Sequence, residues 1–70
     1  MSPRQLLRDY LTAQEITPAE FARRIEYDKG NFHRLLNSDE IWPTLDLAFR
    51  IERETQGAVP ISSWAEAKAA

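Results

Sequence analysis

The chain has 70 residues, of which 43% are hydrophobic and 29% are charged, with no cysteine and a formal net charge of −2. This length allows a single small domain, and the composition is typical of a folded globular protein. The lack of cysteine excludes disulfides, thiolate metal sites and cysteine nucleophiles. No apolar run reaches the roughly 20 residues of a membrane span. We therefore expect one cytoplasmic domain over residues 1–70, stabilised by packing alone.

A first helix is predicted from Ser2, as N-cap, to about Gln14, with Pro3 at its first position. Its apolar residues recur at helical spacing and predict a face that packs on the core; they are Leu6, Leu7, Tyr10 and Leu11. Arg4 and Arg8 are one turn apart on the predicted outer side. They are either phosphate contacts or an ordinary solvated pair.

The clearest helix start in the chain is at Thr17. Thr17 is a good N-cap, Pro18 suits the first helical position, and Glu20 three residues after the cap completes a capping box. The apolar positions of this helix predict one buried side; they are Phe21, Ala22 and Ile25.

A second short helix over residues 29–37 is predicted to begin after Asp28, its N-cap. Its apolar residues lie within about 100° of one another and predict the buried face; they are Phe32, Leu35 and Leu36. Gly30 and Arg34 then lie near the centre of the exposed side. Other polar residues surround them: His33 and Asn37 at one edge, Asn31 at the other, and Lys29 in the first turn.

This exposed face is suited to the major groove of DNA. Arginine can bind a guanine edge through two parallel hydrogen bonds, asparagine can bind adenine in the same way, and glycine allows the backbone to come close. Taken alone, the same residues also fit an ordinary solvated helix face.

The second half of the chain predicts a scaffold helix over residues 44–56, capped by Thr44 and stopped by Gly57. Four apolar residues are expected to face the core; they are Leu45, Leu47, Ala48 and Ile51. A tail over residues 58–70 is predicted to contain an extended connector, 58–61, and a short helix started by a capping box from Ser63 to Glu66. Trp64 is expected to close the core, and the remainder to fray.

The stretch TPAEFARRIEYDKGNFHRLL resembles the helix-turn-helix of the Cro/CI type, the phage lambda repressor-like or XRE family of regulators. Ala22 lies where that family has the small residue that lets its two helices touch, and "FARRI" followed by "GNFHRLL" is similar to its usual run. "PTLDLAFRIERETQGAVPISSW" is similar to the scaffold helix and tail of small Cro-like proteins. The resemblance implies an all-α fold, a compact bundle of four to five short helices that contains a helix-turn-helix over residues 17–37.

The resemblance also implies a function: a cytoplasmic DNA-binding transcriptional regulator of bacterial or phage origin, expected to be a repressor that binds a pseudo-palindromic operator as a homodimer. Base contacts are implied for Lys29, Gly30 and Arg34. Neighbouring base or phosphate contacts are implied for Asp28, Asn31, His33 and Asn37, and a phosphate contact is expected at the helix start at Thr17. Three features depart from the family pattern: Glu26 replaces the favoured turn glycine, Pro18 replaces a common glutamine, and the loop over residues 38–42 is acidic.

The distribution of charged and aromatic residues indicates where DNA and a second copy of the chain would bind. Residues 1–37 contain six basic and five acidic residues, a net of +1, whereas residues 38–70 contain three and six, a net of −3. DNA binding needs only a local positive patch, for which the candidates are Arg8, Arg23, Arg24, Lys29 and Arg34. The candidate dimer contacts, which are equally suited to a core, are Trp42, Phe49, Trp64 and the tail.

Two other classes of function fit the sequence less well. The low pI of 5.3 and the acidic loop favour a protein-interaction module on the same scaffold, antitoxin-like or antirepressor-like. An enzyme is disfavoured because His33 is the only histidine, no glycine-rich phosphate loop is present, and 70 residues hardly enclose a pocket. We expect no catalytic residue, metal, cofactor or small-molecule ligand.

Overall fold

The computed structural model describes residues 2–69, and that part of the chain contains five helices and no β-strand. The helices are α1 (Pro3–Ala13), α2 (Pro18–Arg24), α3 (Lys29–Asn37), α4 (Leu45–Glu54) and α5 (Ile61–Ala69). The predicted all-α fold class is therefore confirmed. Met1 and Ala70, at the ends of the predicted domain and tail, lie outside the described residues. None of the helices described has the length and hydropathy required to cross a bilayer.

Four of the helices begin at a side-chain cap, as predicted. In each case a hydroxyl or carboxylate oxygen accepts a hydrogen bond from a backbone N–H three residues later, and each such cap contributes about 1 kcal/mol. The pairs are Ser2 with Gln5 at 3.1 Å, Thr17 with Glu20 at 3.2 Å, Asp28 with Asn31 at 2.8 Å, and Thr44 with Leu47 at 3.2 Å. At α2 the predicted capping box is only half formed, because the Glu20 carboxylate binds the arginines that follow it on α2.

The α2 and α3 helices pack closely against each other. Ala22 is fully buried, and the rings of Phe21 and Phe32 lie 5.4 Å apart between centroids. The chain turns between the helices at Glu26, whose φ of 55° is left-handed, at a cost of about 1 kcal/mol for a residue other than glycine. The backbone N–H of Tyr27 donates to the carbonyl of Ala22 at 2.9 Å and closes the turn. The predicted helix pair is therefore present, with a non-glycine turn.

The buried apolar residues of all five helices form one core with Val59 of the α4–α5 loop. From α4 they include Leu47, Ala48 and Ile51, as predicted, but Leu45 is 73% exposed and its predicted inward position is wrong. The reason is angular: at 100° per residue Leu45 lies about 160° from Leu47 and about 120° from Ile51. One helix face cannot bury all four predicted residues.

Two arginines of α1 bind the C-terminal end of α3. The last four carbonyls of a helix lack partners within the helix. Here Arg4 Nε donates to the carbonyl of Leu35 at 2.8 Å, and Arg8 Nη2 donates to that of Leu36 at 2.6 Å. These bonds join residues 31 and 28 positions apart in the chain, so they orient α3 against α1.

Arg4 is buried, which corrects its predicted place on the outer side of α1. Only 6% of the residue is exposed. The guanidinium carbon lies 4.9 Å from the ring centroid of Trp42 and 5.5 Å from that of Trp64, and Nη2 also donates to the carbonyl of Ile41. Burial lowers the pKa of the Arg4 guanidinium, yet the aromatic faces and carbonyls around it are favourable to a cation.

The helices near the C-terminus differ from their predicted bounds. The α4 helix ends at Glu54, not at residue 56, because Gln56 and Gly57 have φ of 55° and 88°. The α5 helix starts at Ile61, so the predicted Ser63 cap is wrong: Ser63 lies in the first turn and its hydroxyl donates to the carbonyl of Pro60 at 2.6 Å. Helix α5 continues to Ala69, through the segment predicted to fray. Trp64 is 4% exposed, which confirms that it closes the core and removes it from the candidate dimer contacts.

Replacement of Arg4 by methionine tests its structural role. We expect Arg4→Met to lower the free energy of unfolding by about 2 kcal/mol or more, because buried carbonyl acceptors lose their donors. Chemical denaturation would measure this loss. The control is Arg23→Met at an exposed arginine, where we expect a clearly smaller loss because the ion pair of Arg23 is solvated. Equal losses in the two variants would contradict the role of Arg4.

A larger residue at position 22 tests the packing between α2 and α3. We expect Ala22→Leu to lower the free energy of unfolding by about 1–3 kcal/mol, because the fully buried site has no room for the added atoms. The matched control is Ala19→Leu, at an exposed position of the same helix. If both variants melt at the same temperature as the parent, the contact between the helices is misplaced.

Candidate nucleic-acid interface

All eight residues predicted to contact DNA are exposed. Because Phe32, Leu35 and Leu36 turn the other side of α3 into the core, the polar side of that helix faces solvent. The exposed residues are Thr17, Asp28, Lys29, Gly30, Asn31, His33, Arg34 and Asn37. We call the six of them that belong to α3, Lys29 to Asn31, His33, Arg34 and Asn37, the polar face of α3.

Asp28 and Gly30 shape the start of this face. One carboxylate oxygen of Asp28, Oδ2, accepts the cap hydrogen bond from Asn31 and would lie 3.1 Å from a Cβ added at Gly30. A side chain at position 30 would therefore crowd the cap. Because glycine has no side chain, another molecule can approach the backbone of the first turn of α3 closely.

Arg34 is held in place by its neighbour one turn earlier. Its Nη1 donates to Asn31 Oδ1 at 3.1 Å. A guanidinium has five N–H donors, so this single bond leaves most of them available. The arrangement restricts the Arg34 side chain at the centre of the polar face before any ligand binds.

The other end of the polar face meets α1. Asn37 Nδ2 donates to the carbonyl of His33 at 2.9 Å, and its Oδ1 accepts from Arg8 Nη2 at 3.3 Å. Arg8, His33 and Asn37 line an open groove of 510 Å³ together with Thr17. The structure therefore brings Thr17 and the end of α3 together, and adds Arg8. No local sequence signal pairs Arg8 with α3, since the contacts cross 28 or 29 residues.

The five cations proposed for a positive patch are not equivalent. Glu20 binds two of them: its Oε1 lies 2.5 Å from Arg23 Nη2 and its Oε2 lies 3.1 Å from Arg24 Nε. Within residues 2–69, no carboxylate oxygen lies within 4.0 Å of a charged nitrogen of Arg8, Lys29 or Arg34. Of these five candidate cations, Arg8, Lys29 and Arg34 are therefore the three without an ion pair within residues 2–69.

The acidic loop lies beyond the C-terminal end of α3. The Asp39 carboxylate is fully exposed and lies 4.0 Å from Arg4 Nη1, while Glu40 donates its backbone N–H to Ser38 Oγ at 3.2 Å. Lys29 is at the opposite end of the helix, about 12 Å away along the axis. The negative charge of this loop is thus separated from the half of α3 that carries Lys29 and Gly30.

Comparisons of the chain with known protein families, with curated proteins and with solved structures gave no match. Membership of the Cro/CI type therefore stays a prediction based on the residues between Thr17 and Leu36 and the similar run that follows. Within residues 2–69 the structure defines five helices, and the third of them presents a polar face beside a groove.

The ion pairs of Glu20 predict a stability that depends on pH. Hydrogen bonds from Arg23 and then Arg24 lower the pKa of Glu20 in the folded protein, so its contribution is fully present above the ordinary pKa of about 4.3 and is lost as pH falls through the lowered value. We expect Glu20→Gln to be less stable than the parent at neutral pH and equally stable at acidic pH. Denaturation from about pH 7 to about pH 2 would measure the difference.

The control for this experiment is Glu66→Gln, at an exposed carboxylate that makes no ion pair within residues 2–69. This variant should follow the parent at every pH. A difference between Glu20→Gln and the parent that stays constant to the acidic end of the range would contradict the role assigned to the ion pairs.

Proposed function

We propose that the protein is a sequence-specific, DNA-binding transcriptional regulator of the Cro-like type, a repressor with no catalytic activity, and that α3 is its recognition helix. The observation that supports this most is the polar face of α3. It carries Lys29, Gly30 and Arg34 on the side opposite the buried Phe32 and Leu35. The close packing of α3 on the short helix α2 leaves that side free.

The chemistry of the polar face suits base edges. In this proposal Arg34 donates two parallel hydrogen bonds to a guanine, and Asn31, already bonded to Arg34, either orients it or binds an adjacent adenine. Gly30 lets the first turn approach the groove floor, and Lys29 contacts a guanine or a phosphate. The Asp28 carboxylate remains the cap that fixes the start of the helix.

Phosphate contacts are assigned to the groove beside α3. Arg8, His33 and Asn37 line that groove, and Thr17 begins the helix on its other side. Such contacts set the position of a protein on the duplex without reading sequence. Because one domain of this size makes few contacts, we infer a homodimer on a pseudo-palindromic operator, with half-sites about one DNA turn apart.

The second candidate is a protein-interaction module, antitoxin-like or antirepressor-like, on the same scaffold. The observation that favours it is the acidity of the surface: the net charge is −2, Asp39 and Glu40 are exposed, and Glu20 compensates two of the arginines. This module would bind a basic protein surface instead of a duplex.

Selection of bound sequences from a random duplex pool, combined with affinity measured at two salt concentrations, separates the two candidates. The regulator should enrich a palindrome, and its affinity should fall steeply with salt because phosphate contacts release counterions. No binding to any duplex, even at low salt, would reject the regulator and favour the interaction module.

Truncation of Arg34 tests the recognition helix. We expect Arg34→Ala to weaken binding to the selected duplex by about 1–3 kcal/mol and to relax the preference at one base pair, as the loss of a bidentate contact requires. Lys68→Ala on α5 is the control for the loss of one positive charge and should keep the preference at every position. An unchanged binding profile for Arg34→Ala would remove Arg34 from the interface.

A further inference from the structure

A second exposed surface lies on α4, on a different element from the polar face of α3. The large apolar side chains that residues 2–69 leave exposed are Ile41 at 37%, Leu45 at 73% and Phe49 at 46%. Leu45 and Phe49 are one turn apart on the same side of α4. An exposed apolar row of this kind marks a contact surface more often than a single exposed side chain does.

Charged residues accompany the apolar row in a specific order. We measure angular position around the axis of α4 from Phe49. Leu45 lies about 40° to one side of Phe49, and Arg53 and Asp46 lie about 40° and 60° to the other side. Asp46 Oδ2 is 3.1 Å from Arg50 Nη2, and the guanidinium of Arg53 is 5.6 Å from the ring centroid of Phe49. The acidic residue is thus near the start of the exposed face and the basic residues are toward its end.

We propose that this face of α4, comprising Leu45, Asp46, Phe49, Arg50 and Arg53, is the contact surface for a second copy of the chain. Two copies would pack α4 against α4 in antiparallel orientation about a twofold axis at Phe49. Asp46 lies about 4.5 Å before Phe49 along the helix axis and Arg53 about 6 Å after it. The twofold axis lies in the contact plane and is perpendicular to α4, so it reverses the direction of the helix but keeps each residue on the same side of the contact. Each Asp46 therefore faces Arg53 of the other copy.

The complementarity of the face to itself is what selects a second copy over another occupant. An isologous contact requires one patch to match its own rotated image, and the charged row of this face meets that condition. On one side the acid meets the base. On the other side Leu45 meets the region of Glu52 and Ile61, where the Glu52 carboxylate accepts a hydrogen bond from the backbone N–H of Ile61 at 3.3 Å.

This inference deepens the proposed function, which calls for a homodimer, but it rests on α4 and not on α3. Its test contains no DNA. Failure of self-association would therefore leave the duplex selection unaffected, and failure of the duplex selection would leave the contact surface of α4 intact. The proposed contact between two α4 helices is small, so we expect a weak dimer that forms at high protein concentration.

The decisive experiment uses two charge reversals, Asp46→Arg and Arg53→Asp, in sedimentation velocity and native mass spectrometry. Each variant alone places like charges across the proposed contact, so we expect its self-association to be at least about tenfold weaker than that of the parent. When the two variants are mixed in equal amounts, positions 46 and 53 carry opposite charges across both halves of the contact. We therefore expect heterodimers with an affinity within about threefold of the parent dimer.

The mixture separates a contact from a folding defect, because two misfolded variants do not rescue each other. A third variant, Leu45→Glu at the most exposed apolar position, should also weaken self-association at least about tenfold while keeping the melting temperature. Ala19→Glu, at an exposed position of α2, is its control and should dimerise as the parent does. The proposal is overturned if the parent is monomeric up to about 1 mM, if Leu45→Glu dimerises like the parent, or if the two charge variants do not associate when mixed.

Discussion

The arrangement of this protein depends on the hydrogen bonds from α1 to the end of α3. The carbonyls of Leu35 and Leu36 have no partner inside their own helix, and Arg4 and Arg8 satisfy them from across the core. Arg4 adds the carbonyl of Ile41 and the two indole rings, so that one buried side chain connects α1, α3, the following loop and α5. A buried cation is tolerated because acceptors and aromatic faces surround it.

The exposed surfaces follow from that arrangement. With its apolar side in the core and its C-terminal carbonyls bonded to α1, α3 is held so that its polar side remains free. The same contacts place the acidic loop at one end of α3 and leave Lys29 and Gly30 at the other. A chain of net charge −2 thus still exposes Arg8, Lys29 and Arg34 without an ion pair within residues 2–69, and DNA binding requires only a local positive patch. The exposed side of α4 is a separate surface, suited to a copy of the same chain.

Local signals predicted the starts of α1 to α4 and the buried side of α3, because a cap needs only one side chain and one nearby N–H, and a short helix has only one apolar side. The same signals were wrong where neighbours in space decide. Arg4 has the charge of a surface residue but is buried among groups up to 37 positions away. The error at Leu45 has a local cause instead: at 100° per residue the other three apolar residues of α4 define a face that excludes it. Ser63 resembles a cap, yet Ile61 already belongs to α5.

By itself the sequence determined the starts of α1 to α4, the α2–α3 pair and the side of α3 that is exposed, because each depends on caps and helical periodicity within about ten residues. The proposal that eight residues contact DNA comes from the resemblance to the Cro/CI helix-turn-helix. Only the tertiary structure decided which of the five candidate cations form ion pairs and that Arg8 joins the polar face of α3. These properties depend on distances between side chains far apart in the chain, for which periodicity carries no information.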